Sequence, residues 1–251
     1  MVRLLLISVV IVLIAAGPNR AVLAQTKPAG ADSSAAALLN SVGLTKLRQG
    51  QYELAIQDFS QAIERNPNYA EAFNNRGDAY HLKGDNTRAL QDFNQAIRLD
   101  PSLAEAFFHR GTVYTAQGSH ERAIADFDRA IKLNPNYGSA LNNRCLSRAT
   151  IGQLQDALTD CNAALWLRPS RGRATTLNVR GIVYLKLKRI SDALADFDLA
   201  LKFAPNSASA LYGRGIAKIK GGDVAGGNED IQAAKAIQKD IADEFTRHGV
   251  Q

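Results

Sequence analysis

Cys145 and Cys161 are the only cysteines in the chain. They carry its most pointed side-chain chemistry. Their separation is not Cys-x-x-Cys, so an exchange-active redox pair is not indicated. Two outcomes stay open: a disulfide closing a short loop, or two small buried thiols filling a core. His81, His109, His120 and His248 are dispersed, without His-x3-His or Cys/His ligand spacing, so no metal site and no other cofactor is expected. Phosphate-binding glycine loops, a serine nucleophile elbow and an isolated carboxylate pair are also missing from the pattern. The chain therefore reads as a non-enzyme. Arginine and aspartate recur instead, at Arg76, Arg110, Arg144, Arg180 and Arg214 and at Asp58, Asp92, Asp126, Asp160, Asp196 and Asp230.

The elements that must hold these groups follow a 34-residue period, which places copies at 36–69, 70–103, 104–137, 138–171, 174–207 and 208–241, with Gly172 and Arg173 as the one interruption. Within 70–103, Phe73, Gly77 and Tyr80, then Ala89, Leu90, Phe93, Ala96 and Ile97, fall at spacings of three and four. That spacing lines one face of each of two successive helices. Gly84 and Asp85 mark the turn between them, and Pro101 ends the second helix. The eighth position reads Gly43, Gly77, Gly111, Cys145, Gly181 and Gly215, and the twenty-fourth Phe59, Phe93, Phe127, Cys161, Phe197 and Ile231. Small groups on one helix facing large ones on the other let antiparallel helices approach. Both cysteines stand in the fourth copy at these two packing positions, which favours their meeting as a disulfide in an oxidising compartment.

The arginines hold the seventh position and the aspartates the twenty-third, each beside core positions, where an unpaired charge would be costly. Copy one carries Val42 in place of the arginine. Pairing each arginine with the aspartate of the preceding copy leaves no aspartate of the first five copies stranded. The expected pairs are thus Asp58 with Arg76, Asp92 with Arg110, Asp126 with Arg144, Asp160 with Arg180, and Asp196 with Arg214. Copy six has Gly221, Gly222, Gly226 and Gly227 and lacks the closing proline, so its last helix is expected to run on toward Phe245 as a cap.

The period, the Phe73, Gly77 and Tyr80 run, Ala89, Phe93 and the closing prolines Pro67, Pro101, Pro135, Pro169 and Pro205 together resemble the tetratricopeptide repeat. The resemblance implies an all-α, right-handed superhelical solenoid of six antiparallel helix pairs, with the first helix of each pair lining a concave groove. It also implies protein binding there. Groove positions would then be Asn74, Asp78, His81, Phe108, Thr112, Asn142, Leu146, Asn178, Ile182, Tyr212 and Ile216, with the amides of Asn74, Asn142 and Asn178 offered to a peptide backbone. The groove would be polar in its first half and apolar from Leu146 onward, unless a C-terminal helix folds back over the apolar part. Outside it, Trp166 with Arg171 and Arg173 is either a basic-aromatic surface patch or a cover over the lengthened connection.

Met1 to Arg3 is a short positive start, Leu4 to Ala16 is apolar, and Val22 to Ala24 precedes Gln25, the pattern of a cleaved secretory signal over 1–24. An uncleaved anchor is the alternative, though about 20 apolar residues are wanted for a spanning helix. Cleavage takes away Arg3 and Arg20 and no acid, lowering the net charge of +6 by two. The rest is interspersed, with no basic run for nucleic acid or membrane. Residues 25–35, rich in Ala, Ser, Gly and Pro, read as a flexible linker, and 242–251 as a helix extension or tail. The expected function is an exported, periplasmic or secreted adaptor for a segment of another protein, as a monomer or weak oligomer. The alternatives are a self-associating envelope component or a regulatory subunit of an envelope hydrolase or protease.

Overall fold

The protein is described by a computed structural model over residues 29–167 and 172–250. The signal segment 1–24, the start of the linker and Arg171 lie outside the described residues. The described chain is helical throughout, as twelve helices in six antiparallel pairs followed by one short helix. The pairs are α1 (Ala29–Arg48) with α2 (Tyr52–Arg65), α3 (Ala70–Leu82) with α4 (Asn86–Leu99), and α5 (Ala104–Ala116) with α6 (His120–Leu133). They continue as α7 (Gly138–Thr150) with α8 (Leu154–Leu167), α9 (Arg173–Lys186) with α10 (Ile190–Phe203), and α11 (Ala208–Lys220) with α12 (Val224–Ile237); α13 is Ile241–Arg247. Successive first helices touch one another, from α1 against α3 to α9 against α11, while successive second helices have no comparable contact among the described residues. The stack therefore curves with its first helices inside, as a solenoid.

Local chemistry sets the element ends. Gly84, with φ of +92°, turns α3 into α4 in a conformation that a side chain would strain. The same turn in the fifth copy is made by Lys188 at φ +59°. At the far end of a pair, Asn66, Asp100 and Asn134 are extended, as residues before proline must be.

The core sits inside each pair and between neighbours. Phe59, Phe93, Phe127 and Phe197 are fully buried, each lying over a glycine of the partner helix. A Cβ built on Gly111 would lie 2.7 Å from Phe127 Cε1. In copy four the two facing slots hold sulfur instead, and Cys145 and Cys161 form a disulfide with Cα atoms 5.6 Å apart. The close helix approach that glycine permits elsewhere is thus the separation that a disulfide needs. Changing both cysteines to alanine is expected to cost about 3 kcal/mol by the loop-closure argument. A fall in the urea midpoint would show it, and thiol alkylation before and after reduction would count the bridge.

Three expectations are corrected. The span 25–35 is not all linker, because α1 begins at Ala29; alanine, the best helix former, carries the helix of copy one outward. The last helix does not run on. It ends at Ile237, Gln238 is extended, and α13 starts afresh at Ile241. Turning there buries Ile241 and Phe245 completely.

The third concerns the ion pairs. Arg76, Arg110, Arg144, Arg180 and Arg214 pair with Asp92, Asp126, Asp160, Asp196 and Asp230 of their own copies, not with Asp58, Asp92, Asp126, Asp160 and Asp196 of the preceding ones. Each contact is bidentate; Arg110 donates from Nε at 2.8 Å and Nη2 at 2.7 Å to the two oxygens of Asp126. The seventh and twenty-third positions face each other across the antiparallel pair, which places fork against carboxylate. Asp58 is not stranded, because Lys46, one helical turn beyond Val42, reaches it at 2.6 Å. The arginine still spans the repeat boundary with its remaining nitrogen. Nη1 donates to Ser60, Asn94, Asp128, Asn162 and Asp198 of the copy before.

Candidate functional site

The concave face divides into two chemically distinct halves. In the first, the amides bond mainly to one another. Asn75 Nδ2 donates to Asn40 Oδ1 at 2.9 Å, and Asn74 Nδ2 donates to Asn75 Oδ1 at 3.3 Å. His109 Nδ1 lies 3.0 Å from Asn74 Oδ1. Since that oxygen only accepts, the imidazole carries its proton on Nδ1. Burial pushes the His109 pKa down from the usual imidazole value. Asn74, one of the amides expected to meet a peptide, is thus buried and bonded within the chain. Asp78 and His81 lie further along α3, half-buried, with His81 Nδ1 at 2.7 Å from Asn86 Oδ1. Thr112 bonds its own helix through Phe108 O. The Phe108 ring stands 4.9 Å from Tyr137 and 6.1 Å from Phe127, a half-buried aromatic step between the halves.

In the second half the amides are not all satisfied. Asn142, Leu146, Asn178 and Ile182 converge on one cavity of about 330 Å³, together with Asn143 and Ser209. Asn178 Nδ2 donates to Ser209 Oγ at 2.8 Å, and Asn142 Nδ2 to Asn143 Oδ1 at 3.3 Å. Their carbonyl oxygens, Asn142 Oδ1 and Asn178 Oδ1, are buried and accept no hydrogen bond. Such acceptors cost about 1 to 3 kcal/mol each when left without a donor. Tyr212 and Ile216, further along, are covered by the C-terminal segment: the Tyr212 and Phe245 rings lie 4.8 Å apart, and Ile216 is in the same apolar cluster as Phe245.

Two more walls of this cavity, Glu244 and His248, come from α13 and the residue after it. Sequence reasoning did not include them among the groove residues. The available signal was Ile241 and Phe245 at i and i+4, an apolar stripe on a segment without a proline before it. Burial also lowers the pKa of His248. Trp166 is 88% exposed on the outer side, beside Asn162, Leu165, Arg173 and Arg180, while most of the connection it was expected either to cover or to flank lies outside the described residues. Among the described residues there is no group of three metal-ligating side chains, and no helix long and apolar enough to cross a membrane.

A curved stack of helix pairs with an amide-lined inner face defines a helical-repeat solenoid of the protein-binding class. Family models of the tetratricopeptide repeat match residues 43–104 and 104–137, so this part of the chain is built of tetratricopeptide repeats. No curated protein sequence matches it. Among solved structures it is similar to one titled as the APC/C hetero-tetramer Cut9-Hcn1, with a TM-score of 0.75 and 18% identity over 85% of this chain. It spans 42% of that chain's length. It is also similar to PilF of Pseudomonas aeruginosa, with a TM-score of 0.72 and 18% identity over 86% of this chain and 98% of the other. A third likeness is to YrrB, described as a tetratricopeptide protein with an unusual peptide-binding site, with a TM-score of 0.57 and 22% identity over 75% and 97%. At these identities the likeness is one of fold.

Proposed function

We propose that this chain is an exported, non-catalytic adaptor that holds a segment of another protein in its concave groove. The observation that carries this reading is the cavity where the amides of Asn142, Asn143 and Asn178 stand beside the apolar groups of Leu146 and Ile182. Polar groups of a bound segment would pair with the amides that line the cavity, and an apolar side chain of that segment would sit on the half-exposed Leu146. The peptide-binding site named for YrrB is in keeping with this use of the fold. Export is supported by the signal-like pattern of residues 1–24 and by a disulfide, which persists in oxidising compartments.

The test is partner capture by the full chain in its native envelope, with and without Asn142→Ala and Asn178→Ala together. Loss of two hydrogen bonds, each contributing about 0.5 to 1.5 kcal/mol, should weaken capture by roughly tenfold. Unchanged capture would reject the groove.

A second reading, self-association into an envelope assembly, is favoured by the outer face of copy one. Leu38 there is 67% exposed and Val42 39%, whereas Ala72, Ala106 and Ala140, which hold the position of Leu38 in the next three copies, are wholly buried against their neighbours. A second copy of this chain recovered as the captured protein would support that reading instead.

A further inference from the structure

The apolar half of the groove already holds an occupant, and it is the chain's own C-terminus. Ile182 and Ile216 stand on the concave side, yet they are only 2% and 8% exposed. They share one apolar cluster with Ile241, Phe245 and Val250. The matching positions of the two preceding polar copies, Asp78 and Thr112, have no such cover and stay half-exposed.

The segment sits as a ligand would. Ile241 and Phe245 are one helical turn apart and point their side chains into the same seat. The Phe245 ring packs on Tyr212 at 4.8 Å. Beyond the helix, Lys186 Nζ donates to His248 O at 2.9 Å and to Ala149 O at 2.6 Å, tying the segment to copies four and five. Gly249, at φ +70°, then turns the chain so that Val250 N donates to Phe245 O and its side chain rejoins the cluster. The segment therefore crosses the inner face from copy six back to copy four.

Its fit is incomplete. Cavities of about 330 Å³ and 590 Å³ lie on either side, each walled by Glu244 and His248. The buried oxygens of Asn142 and Asn178, two residues that line the first cavity, receive no donor. At seven residues α13 is far below the length at which a helix is stable alone, about 12 to 15 residues, so it is ordered by the seat.

We infer that Gln238–Val250 is an intramolecular ligand of the apolar half-groove, displaced by a partner segment of the same chemistry. That segment is a short amphipathic helix presenting an aliphatic group and, one turn later, an aromatic one. The existence of the partner rests on the groove reading above; the seat and its present occupant do not.

The probe is a labelled peptide of residues 238–251, titrated by fluorescence anisotropy into the full chain and into the full chain carrying Ile241→Ala and Phe245→Ala. The emptied variant should bind it at least tenfold more tightly than the unaltered chain, and a peptide with Phe245→Ala should lose about tenfold. Equal binding to both chains, or none to the variant while its helical circular dichroism is intact, would overturn the proposal. Should the variant lose that signal, amide exchange of the unaltered chain decides. Residues 242–249 exchanging at least a hundredfold faster than α11 supports a displaceable ligand, and exchange as slow as α11 makes it a fixed cap and overturns the proposal. Failure of the Asn142 and Asn178 substitutions to alter capture would reject the groove reading while leaving the peptide titration intact.

Discussion

Asp160→Ala is expected to destabilise the protein by about 3 to 5 kcal/mol, the loss typical of removing one partner from a buried charge pair. Asp160 is 3% exposed. It accepts Nε and Nη2 of Arg144 at 2.8 Å and 2.5 Å and Nη1 of Arg148 at 2.7 Å. Its removal leaves two mostly buried guanidinium groups near each other, with only the half-exposed Asp128 to share. Asp85, which pairs with Arg88 at the surface and caps α4 by accepting from Arg88 N, should lose less on the same change, most of it the cap. Urea midpoints of the two variants compare them directly. Amide exchange should place the Asp160 loss in copies three to five, because a repeat array opens locally. Similar midpoints for both variants would mean that the inner pairs contribute no more than surface ones.

Phe127→Ala is the second large effect, about 3 to 5 kcal/mol for emptying a fully buried ring site. The ring fills the space that Gly111 leaves. Gly111→Ala alone should also destabilise, by about 1 to 3 kcal/mol, because its methyl would press on the ring unless the helices part. Combined, the two changes should cost less than their sum, since the methyl partly occupies the vacated space. Thermal unfolding of the four chains closes this cycle, and strict additivity would contradict the packing described.

The helix pairs, their turns and the glycine-to-phenylalanine contacts were legible because each rests on local periodicity repeated several times. The cysteines were legible for the same reason, as two departures from one pattern meeting in one copy. Ion-pair partners were not legible, because every copy has the same charges and a period alone cannot tell an aspartate of one copy from that of the next. The choice turned on Val42 lacking a charge, and Lys46 one turn later supplied it. Arg148 and Lys218 stand at the same position as Lys46 in their own copies and also reach the aspartate.

The groove was legible as a face, with a C-terminal helix folded back over its apolar half as the stated alternative, and it is that alternative that the structure shows. Asn74, Asn142 and Asn178 look alike in the sequence, yet His109 from the next copy engages the first, while the other two keep a free oxygen. The return of Ile241 and Phe245 into the groove depends on a turn at Gln238 that no glycine or proline announces. Alanine and serine between Ala29 and Ala35 suggested a linker by composition, where helix propensity and the adjoining helix of copy one decided otherwise.

Site-directed photo-crosslinking in the native cells tests the central claim most directly, with the reactive side chain placed at Asn143 or Thr175 on the groove cavity, or at Lys132 on the exposed outer side. The account predicts crosslinks to a second protein from both groove positions and none from Lys132. Crosslinks from Lys132 alone, with the groove positions silent, would contradict it.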